Sequence, residues 1–171
     1  MGTLQARHWQ SLLEPGITAI VGAGGKTTVL SKLVEYGGLY GQPVVVTTTT
    51  KLYESQVALW KPYYGHDFNE AEAACREALQ RGRCGAWFSG IDGTKVTALT
   101  GRQIDELNMV HPNWQIVVEA DGAREKWLKA PKSTEPVIPS RTTTTIGVVN
   151  LQVLGTAIDA EHVHNIDEVV E

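Results

Sequence analysis

Apolar and polar positions follow two different periods along the chain, and stretches of the two kinds alternate. Short β-branched apolar runs predict strands, and apolar residues that recur every three or four positions predict helices. The apolar runs lie at residues 17–21, 44–48, 115–119 and 146–149. The helical spacing lies at residues 4–13, 27–36, 70–81 and from 100 or 101 to 110. Strands that alternate with helices are typical of βαβ units, so the pattern predicts an α/β fold with a mostly parallel sheet.

Glycine, aspartate and asparagine residues mark the ends of several predicted elements. The glycine pair at 37–38 is expected to stop the second helix, and Asn69 is expected to cap the third. The Asp-Gly pair at 92–93 is typical of a tight turn. It predicts a β-hairpin that joins residues 86–89 to residues 95–99.

The first predicted strand runs into a glycine-rich segment, VGAGGKTT at residues 21–28, which a predicted helix follows. Glycine adopts positive φ and has no Cβ, so such a turn can direct several backbone N–H groups at phosphate oxygens. The helix N-terminus adds partial positive charge at the same place. We therefore expect a three-layer P-loop NTPase-like sandwich, with helices on both faces of the sheet, that binds ATP or GTP with Mg²⁺. The residues expected to bind the nucleotide here are Gly22, Ala23, Gly24, Gly25, Lys26, Thr27 and Thr28.

Two residues of this loop have individual predicted roles. Lys26 is expected to reach the terminal phosphates and to act in catalysis, and the Thr27 hydroxyl is expected to bind Mg²⁺. The longer P-loop pattern requires a glycine at the position that Ile20 occupies. The shorter G-x-x-G-K-T-T form resembles the loop of Mur-type ligases as much as that of ordinary P-loop enzymes.

Polar residues also follow two other predicted strands. Glu119 and Asp121 stand at the end of the third strand, and ligands of open parallel sheets bind beyond the carboxyl ends of strands. Both are predicted to be catalytic and to hold Mg²⁺, or to orient the attacking water. Thr48, Thr49 and Lys51 end the second strand and are predicted to contact phosphate oxygens and Mg²⁺-bound water. An ordinary strand end explains the threonines equally well.

Length, charge and cysteine content narrow the class of protein. The 171 residues, 42% of them hydrophobic, predict one compact domain over residues 1–171. A net charge of −4, with basic residues dispersed among more numerous acids, disfavours binding to nucleic acid or to an anionic membrane. No apolar stretch approaches the roughly 20 residues of a membrane helix, so the cytoplasm is the expected location. Cys75 and Cys84 are expected to be unpaired.

A long, proline-punctuated segment at residues 123–140 follows the predicted carboxylate strand. Its basic side chains include Arg124, Lys126, Lys129 and Lys132. Two interpretations stay open for this segment: a surface for a partner or an anionic substrate, or an ordinary solvated loop.

Short motifs distributed over nearly the whole chain resemble, in order, the selenium-dependent hydroxylase accessory proteins, a YqeC-like family. They are VGAGGKTT at 21–28, VTTTTK at 46–51, EADGA at 119–123, KAP at 129–131, EPVIP at 135–139, LG at 154–155 and VH at 163–164. The resemblance implies an NTP-binding factor that helps to mature the molybdenum cofactor of selenium-dependent molybdenum hydroxylases. It also implies that such a hydroxylase, or its cofactor, is the partner.

Three functional hypotheses follow. The leading one is a Mg²⁺-dependent NTPase that acts as this accessory factor, and the alternatives are a Mur-ligase-like ATP-dependent ligase and a non-catalytic nucleotide-binding partner protein. Members of the family continue past the segment that matches Val163 and His164, which leaves open that the chain is truncated at its C-terminus. Asn150 is not followed by the Lys-x-Asp of a guanine-reading motif, so the base is not predicted.

Overall fold

The structure, a computed structural model, describes residues 3–124 and 126–169. The helices are α1 (Thr3–Gln10), α2 (Lys26–Tyr40), α3 (Glu54–Val57), α4 (Phe68–Gln80) and α5 (Gly101–Val110). The strands are β1 (Gly16–Gly22), β2 (Val44–Thr48), β3 (Leu52–Tyr53), β4 (Tyr63–Tyr64), β5 (Gly85–Phe88), β6 (Gly90–Asp92), β7 (Lys95–Thr97), β8 (Gln115–Glu119), β9 (Leu128–Lys129), β10 (Thr142–Val148) and β11 (Val163–His164). Short 3₁₀ turns lie at Ala58–Trp60, Leu151–Val153 and Ile166–Glu168.

A six-stranded parallel sheet forms the centre of the fold. Its strand order is β10-β1-β8-β2-β5-β4, and each neighbouring pair is parallel. The strand with the acidic end, β8, therefore lies between the strand that precedes the glycine loop and the strand that ends in threonines. In register, Glu119 of β8 pairs with Ile20 of β1 on one side and with Thr48 of β2 on the other.

Helices cover both faces of this sheet, which gives three layers as predicted. Adjacent residues of a strand point to opposite faces, and β8 is buried on both. Val117 belongs to a core that includes Leu30 and Leu33 of α2. Ile116 and Val118 belong to a second core, to which α4 and α5 contribute.

The glycine pair at 37–38 does not stop α2, contrary to the prediction. The helix continues to Tyr40 and ends at Gly41, which has a left-handed φ of 72° and donates its N–H to the Gly37 carbonyl. Gly37 is a packing residue, because a Cβ there would lie 2.4 Å from Cγ2 of Val44.

Two further boundaries differ from the predictions. Helix α4 is capped by Asp67, whose side chain accepts from the Glu70 N–H, and not by Asn69. Helix α1 ends at Gln10, before the predicted end at residue 13.

The hairpin is shifted along the chain relative to the prediction. The Asp-Gly turn at 92–93 is correct, but it joins β6 to β7 in a small antiparallel sheet with β3. Residues 86–88 instead belong to β5 of the central sheet, where they are buried. The local pattern could not separate an apolar hairpin arm from a buried parallel strand. Cys75 and Cys84 are both free, as predicted.

Candidate functional site

The glycine loop follows β1 and is fixed from its outer side by β10. Gly22 and Gly24 have positive φ of 100° and 78°, and each lies where a side chain would collide. A Cβ on Gly22 would lie 2.2 Å from the Val148 carbonyl oxygen, which accepts the N–H of Ala23 at 2.9 Å. A Cβ on Gly24 would lie 2.2 Å from Cβ of Asn150. The loop conformation therefore requires these two glycines.

The loop presents free backbone donors at the N-terminus of α2. Gly25, with a φ of 114°, is the N-cap residue and contributes no side chain. In the described part of the chain, the N–H groups of residues 24–27 have no hydrogen-bond acceptor. Unpaired N–H groups at a helix N-terminus form an anion-binding site, because they and the helix dipole carry partial positive charge.

Lys26 lies against this loop and is almost fully buried. Its Nζ donates to the Gly22 carbonyl oxygen at 2.6 Å and lies 3.1 Å from Oδ1 of Asp121. The ammonium group is thus folded back on its own loop and neutralised by a carboxylate. This is a stable arrangement for a buried lysine, since an unpaired buried charge is costly.

Glu119 faces the hydroxyl of Thr27 from the end of β8. The Thr27 hydroxyl donates to Oε2 of Glu119 at 3.3 Å. Burial raises the pKa of Glu119 to about 7, against the opposing effects of the Lys26 charge and the Thr27 hydrogen bond, and the Asp121 charge adds to the rise. A carboxyl group with a pKa near 7 can bind or release its proton at neutral pH, and a nearby cation stabilises its ionised form.

Asp121 takes a different position from Glu119. Its Oδ2 accepts the N–H of Gly22 at 2.9 Å, and the side chain is buried between Lys26 and Lys129, whose Nζ lies 3.7 Å from Oδ2. The structure therefore brings both acids to the loop, Glu119 beside the hydroxyl of Thr27 and Asp121 beside the two lysines.

The threonines after β2 make structural hydrogen bonds. The Thr48 hydroxyl donates to the Glu119 carbonyl at 2.8 Å, and the Thr49 hydroxyl donates to the Val137 carbonyl at 2.7 Å. Lys51 forms an exposed ion pair with Asp92, at 2.6 Å. These contacts hold the end of β8 and the segment after it in place, and Lys51 lines the same cleft as the loop.

Sequence reasoning missed the contribution of Lys129 and Glu135. The Lys129 side chain is 1% exposed, and its Nζ lies 2.6 Å from Oε2 of Glu135 and 3.7 Å from Oδ2 of Asp121. Lys26, Asp121, Lys129 and Glu135 thus form a continuous chain of ion pairs. The sequence signals were the presence of both residues in the short motifs KAP and EPVIP, and of Lys129 among the basic side chains of residues 123–140.

A cleft of about 830 Å³ opens beside the loop. Six of the predicted site residues line it, namely Gly24, Gly25, Lys26, Thr27, Lys51 and Glu119. Gly22, Ala23, Thr28, Thr48, Thr49 and Asp121 support or flank these residues without lining the cleft. The volume falls in the range of small-molecule sites.

The residues of the cleft can hold a Mg²⁺ ion if phosphate oxygens supply the rest of its ligands. Within residues 3–124 and 126–169, no cluster of three or more His, Cys, Asp or Glu side chains is placed to hold a metal. Thr27 and Glu119 offer two neighbouring hard oxygens at the cradle for phosphate. Mg²⁺ in nucleotide sites takes one or two protein oxygens together with phosphates and water, which this pair can satisfy.

Comparison with known proteins finds one family and one relative. The sequence model of the family described as YqeC protein matches residues 18–167. The chain is 32% identical over 150 residues to "Uncharacterized protein YqeC" of Escherichia coli (strain K12), across 88% of this chain and 57% of that protein. The chain therefore spans little more than half the length of that relative. No solved structure matches.

One negative result concerns membranes. Among the helices that the structure describes, none combines the length and the apolar character needed to cross a bilayer.

Proposed function

The chain belongs to the YqeC family, and from this premise we propose that it is an accessory protein that binds a nucleoside triphosphate together with Mg²⁺. The observation that carries the proposal is the loop at residues 22–27. There, free N–H groups, a buried lysine and a Thr-Glu pair converge at the carboxyl ends of adjacent parallel strands. This set of donors and oxygens suits a Mg²⁺-bound triphosphate.

The backbone donors and Lys26 would hold the phosphates. The N–H groups of residues 24–27 can each donate to a phosphate oxygen without losing an existing partner. The Lys26 ammonium group would move partly away from Asp121 to contact the terminal phosphates, while Lys129 remains beside Asp121. The exchange avoids leaving the Asp121 charge unpaired in a buried place.

Thr27 and Glu119 would hold the metal, and the carboxyl group would give up its proton on metal binding. Mg²⁺, when bound, neutralises charge that develops on the phosphate oxygens during hydrolysis. Asp121 fixes the loop through the Gly22 N–H, so it orients the cradle rather than the metal. We expect intrinsic hydrolysis to be slow, because Glu119, the carboxyl group that contacts Thr27, would be taken up by the metal and would not be free to activate water.

Calorimetric titration of ATP and of GTP, each with and without Mg²⁺, tests this proposal. We expect Mg²⁺-dependent binding of at least one nucleotide. Lys26→Ala should weaken it by about 10- to 100-fold, since a charge-assisted hydrogen bond contributes about 1.5–3 kcal/mol. Lys32→Ala is the matched control, because Lys32 lies on the same helix and pairs with Glu35 at the surface. Absence of binding of both nucleotides, or equal effects of the two substitutions, would overturn the proposal.

The place of this activity in maturing the molybdenum cofactor of selenium-dependent hydroxylases is also a proposal, supported by family membership. It predicts a lower cofactor content in such a hydroxylase when it is produced with Lys26→Ala than with the unaltered chain. Equal cofactor content in both preparations would mean that nucleotide binding by this chain is not needed for maturation of the cofactor.

A further inference from the structure

A second group of residues lines the cleft beside the glycine loop. We call it the basic wall, and it consists of Arg124, Lys126, Trp127 and His164. Two short strands hold it in place, since Leu128–Lys129 pairs in parallel with Val163–His164. Next to them, the Trp127 N–H donates to the His162 carbonyl at 2.9 Å, and the two rings lie 4.6 Å apart. The basic wall is therefore a built part of the fold.

The cleft is positively charged although the protein is acidic overall. Among the described residues, its lining includes five lysine and arginine side chains, Lys26, Lys51, Lys95, Arg124 and Lys126, against two carboxylates, Glu119 and Glu135. Lys26 and Lys51 pair with Asp121 and Asp92, so the excess of positive charge comes from Lys95, Arg124 and Lys126. The chain as a whole has a net charge of −4. A concave surface whose charge opposes that of the whole molecule concentrates ligands of the opposite sign.

Arg124 and Lys126 supply the positive charge of the basic wall. Within residues 3–124 and 126–169, neither Arg124 nor Lys126 forms an ion pair with a carboxylate, although Lys126 donates to the Glu161 carbonyl at 3.0 Å. The pKa of His164 is lowered by burial and by the positive charges of Arg124 and Lys129. The charges of Arg124 and Lys129 acting on His164 thus agree with an electropositive surface at the wall.

We infer that the basic wall binds the phosphate group of a second, small-molecule ligand that lies in the same cleft as the nucleotide. The inference rests on the proposed function in one respect, because it adds a phosphorylated substrate to a nucleotide-binding protein. The evidence for the anion site itself is the charge of the basic wall, which does not depend on nucleotide binding. A guanidinium and an ammonium group together match the charge of a phosphate group, which is about −2, better than they match the single charge of a carboxylate ligand. The loop already supplies N–H donors and Lys26 for the triphosphate, so the wall's cations are available to another anion.

Inorganic phosphate is the probe for the test. The lysine of the loop is first removed by Lys26→Met, which leaves the backbone N–H groups of the loop in place. Phosphate is then titrated into this protein by calorimetry, with and without the further pair Arg124→Ala and Lys126→Ala. We expect binding in the Lys26→Met protein and at least tenfold weaker binding when the wall pair is removed. The matched control removes two exposed cations outside the cleft, Lys61 and Arg102, and should change the affinity less than twofold.

A second arm keeps Lys26 and fills the loop with a non-hydrolysable analogue, tried with both ATP and GTP analogues, and Mg²⁺ before phosphate is added. If neither analogue binds, the proposed function fails, and the Lys26→Met arm still decides the anion site. Loss of phosphate binding with Lys26→Met alone, or equal binding after removal of the wall pair, would overturn the inference. Weakening of the analogue's own binding by the wall pair, as strong as that caused by Lys26→Met, would assign the wall to the nucleotide and also overturn it.

Discussion

Burial and the charge of Lys26 act on the carboxyl group of Glu119 in opposite directions. Its pKa of about 7 lies above the ordinary value of 4.5 chiefly because of burial. The folded protein therefore binds this proton more tightly than the unfolded chain does. The resulting contribution to stability is complete below pH 4.5 and is lost as the pH rises through 7, a change of about 3 kcal/mol.

The first prediction compares Glu119→Gln with the unaltered chain by urea unfolding at several pH values between 4.5 and 8. The glutamine cannot titrate, so the extra loss of unfolding free energy with rising pH should disappear in this variant. Parallel profiles for the two proteins would show that the carboxyl group has an ordinary pKa in the folded state.

Lys129 gives a second prediction at this scale, because its charge is buried between Asp121 and Glu135. Lys129→Met keeps much of the aliphatic stem but removes the charge. We expect a loss of about 3 kcal/mol in unfolding free energy, at the low end for a broken buried pair because Asp121 keeps Lys26. Lys132→Ala, at an exposed position, is the control and should change stability by less than about 0.5 kcal/mol. Similar small losses for both variants would contradict a buried network.

Helix α2 offers a matched pair of substitutions at the scale of one element. A Cβ on Gly38 meets nothing within 4 Å, whereas a Cβ on Gly37 would lie 2.4 Å from Cγ2 of Val44. Gly38→Ala should stabilise the protein by about 1 kcal/mol through helix propensity. Gly37→Ala should destabilise it by about 1–3 kcal/mol through overpacking against β2. Equal effects in urea unfolding would mean that α2 does not continue past Gly37.

Elements that depend on local pattern could be predicted, and those that depend on tertiary contact could not. The strand at Val44–Thr48 and the helix from Gly101 to Val110 agree with the sequence prediction, because apolar runs and the Thr100 cap are local signals. The continuation of α2 through the glycine pair depends on packing against Val44, which lies outside the helix. The assignment of β5 to the central sheet likewise depends on its partners, β2 and β4.

The residues of the candidate site fall into the same two groups, those that a local sequence pattern predicts and those that only tertiary contact brings to the site. The loop glycines, Lys26 and Thr27 are contiguous and follow a strand, so a short pattern predicts them. Lys129 and Glu135 reach the site only because the segment after β8 returns towards the loop. No spacing rule relates that segment to the loop, and the sequence left its basic residues with two interpretations.

At the scale of the whole molecule, the strand order explains why distant segments meet. Placing β8 between β1 and β2 puts the loop, Glu119 and the threonine run at one edge of the sheet. If a Mg²⁺-bound nucleotide occupies this edge, binding to the folded state alone should stabilise the entire domain. At a concentration of 100 times Kd the gain is about 2.7 kcal/mol. That gain corresponds to a rise of about 5–10 °C in Tm for a chain of this size.

Thermal unfolding with and without ATP or GTP and Mg²⁺ measures this rise. Lys26→Ala at the same ligand concentration should show about half of it or less, and Lys32→Ala should show it in full. A rise of equal size in the Lys26→Ala protein would place the bound nucleotide elsewhere.

The hydrogen bond from the Ala23 N–H to the Val148 carbonyl links the loop to β10, so local unfolding of β10 affects the loop. Strand β10 is the outermost strand of the central sheet, with β1 as its partner there, and outer strands detach at a lower free energy than central ones. The loop can therefore lose its shape when this single strand separates, while β8 and β2 remain paired. In hydrogen exchange, the Ala23 amide should follow the rate of β10 amides rather than the slower rate of β8, so the order of the phosphate cradle depends on the margin of the sheet as well as on its centre.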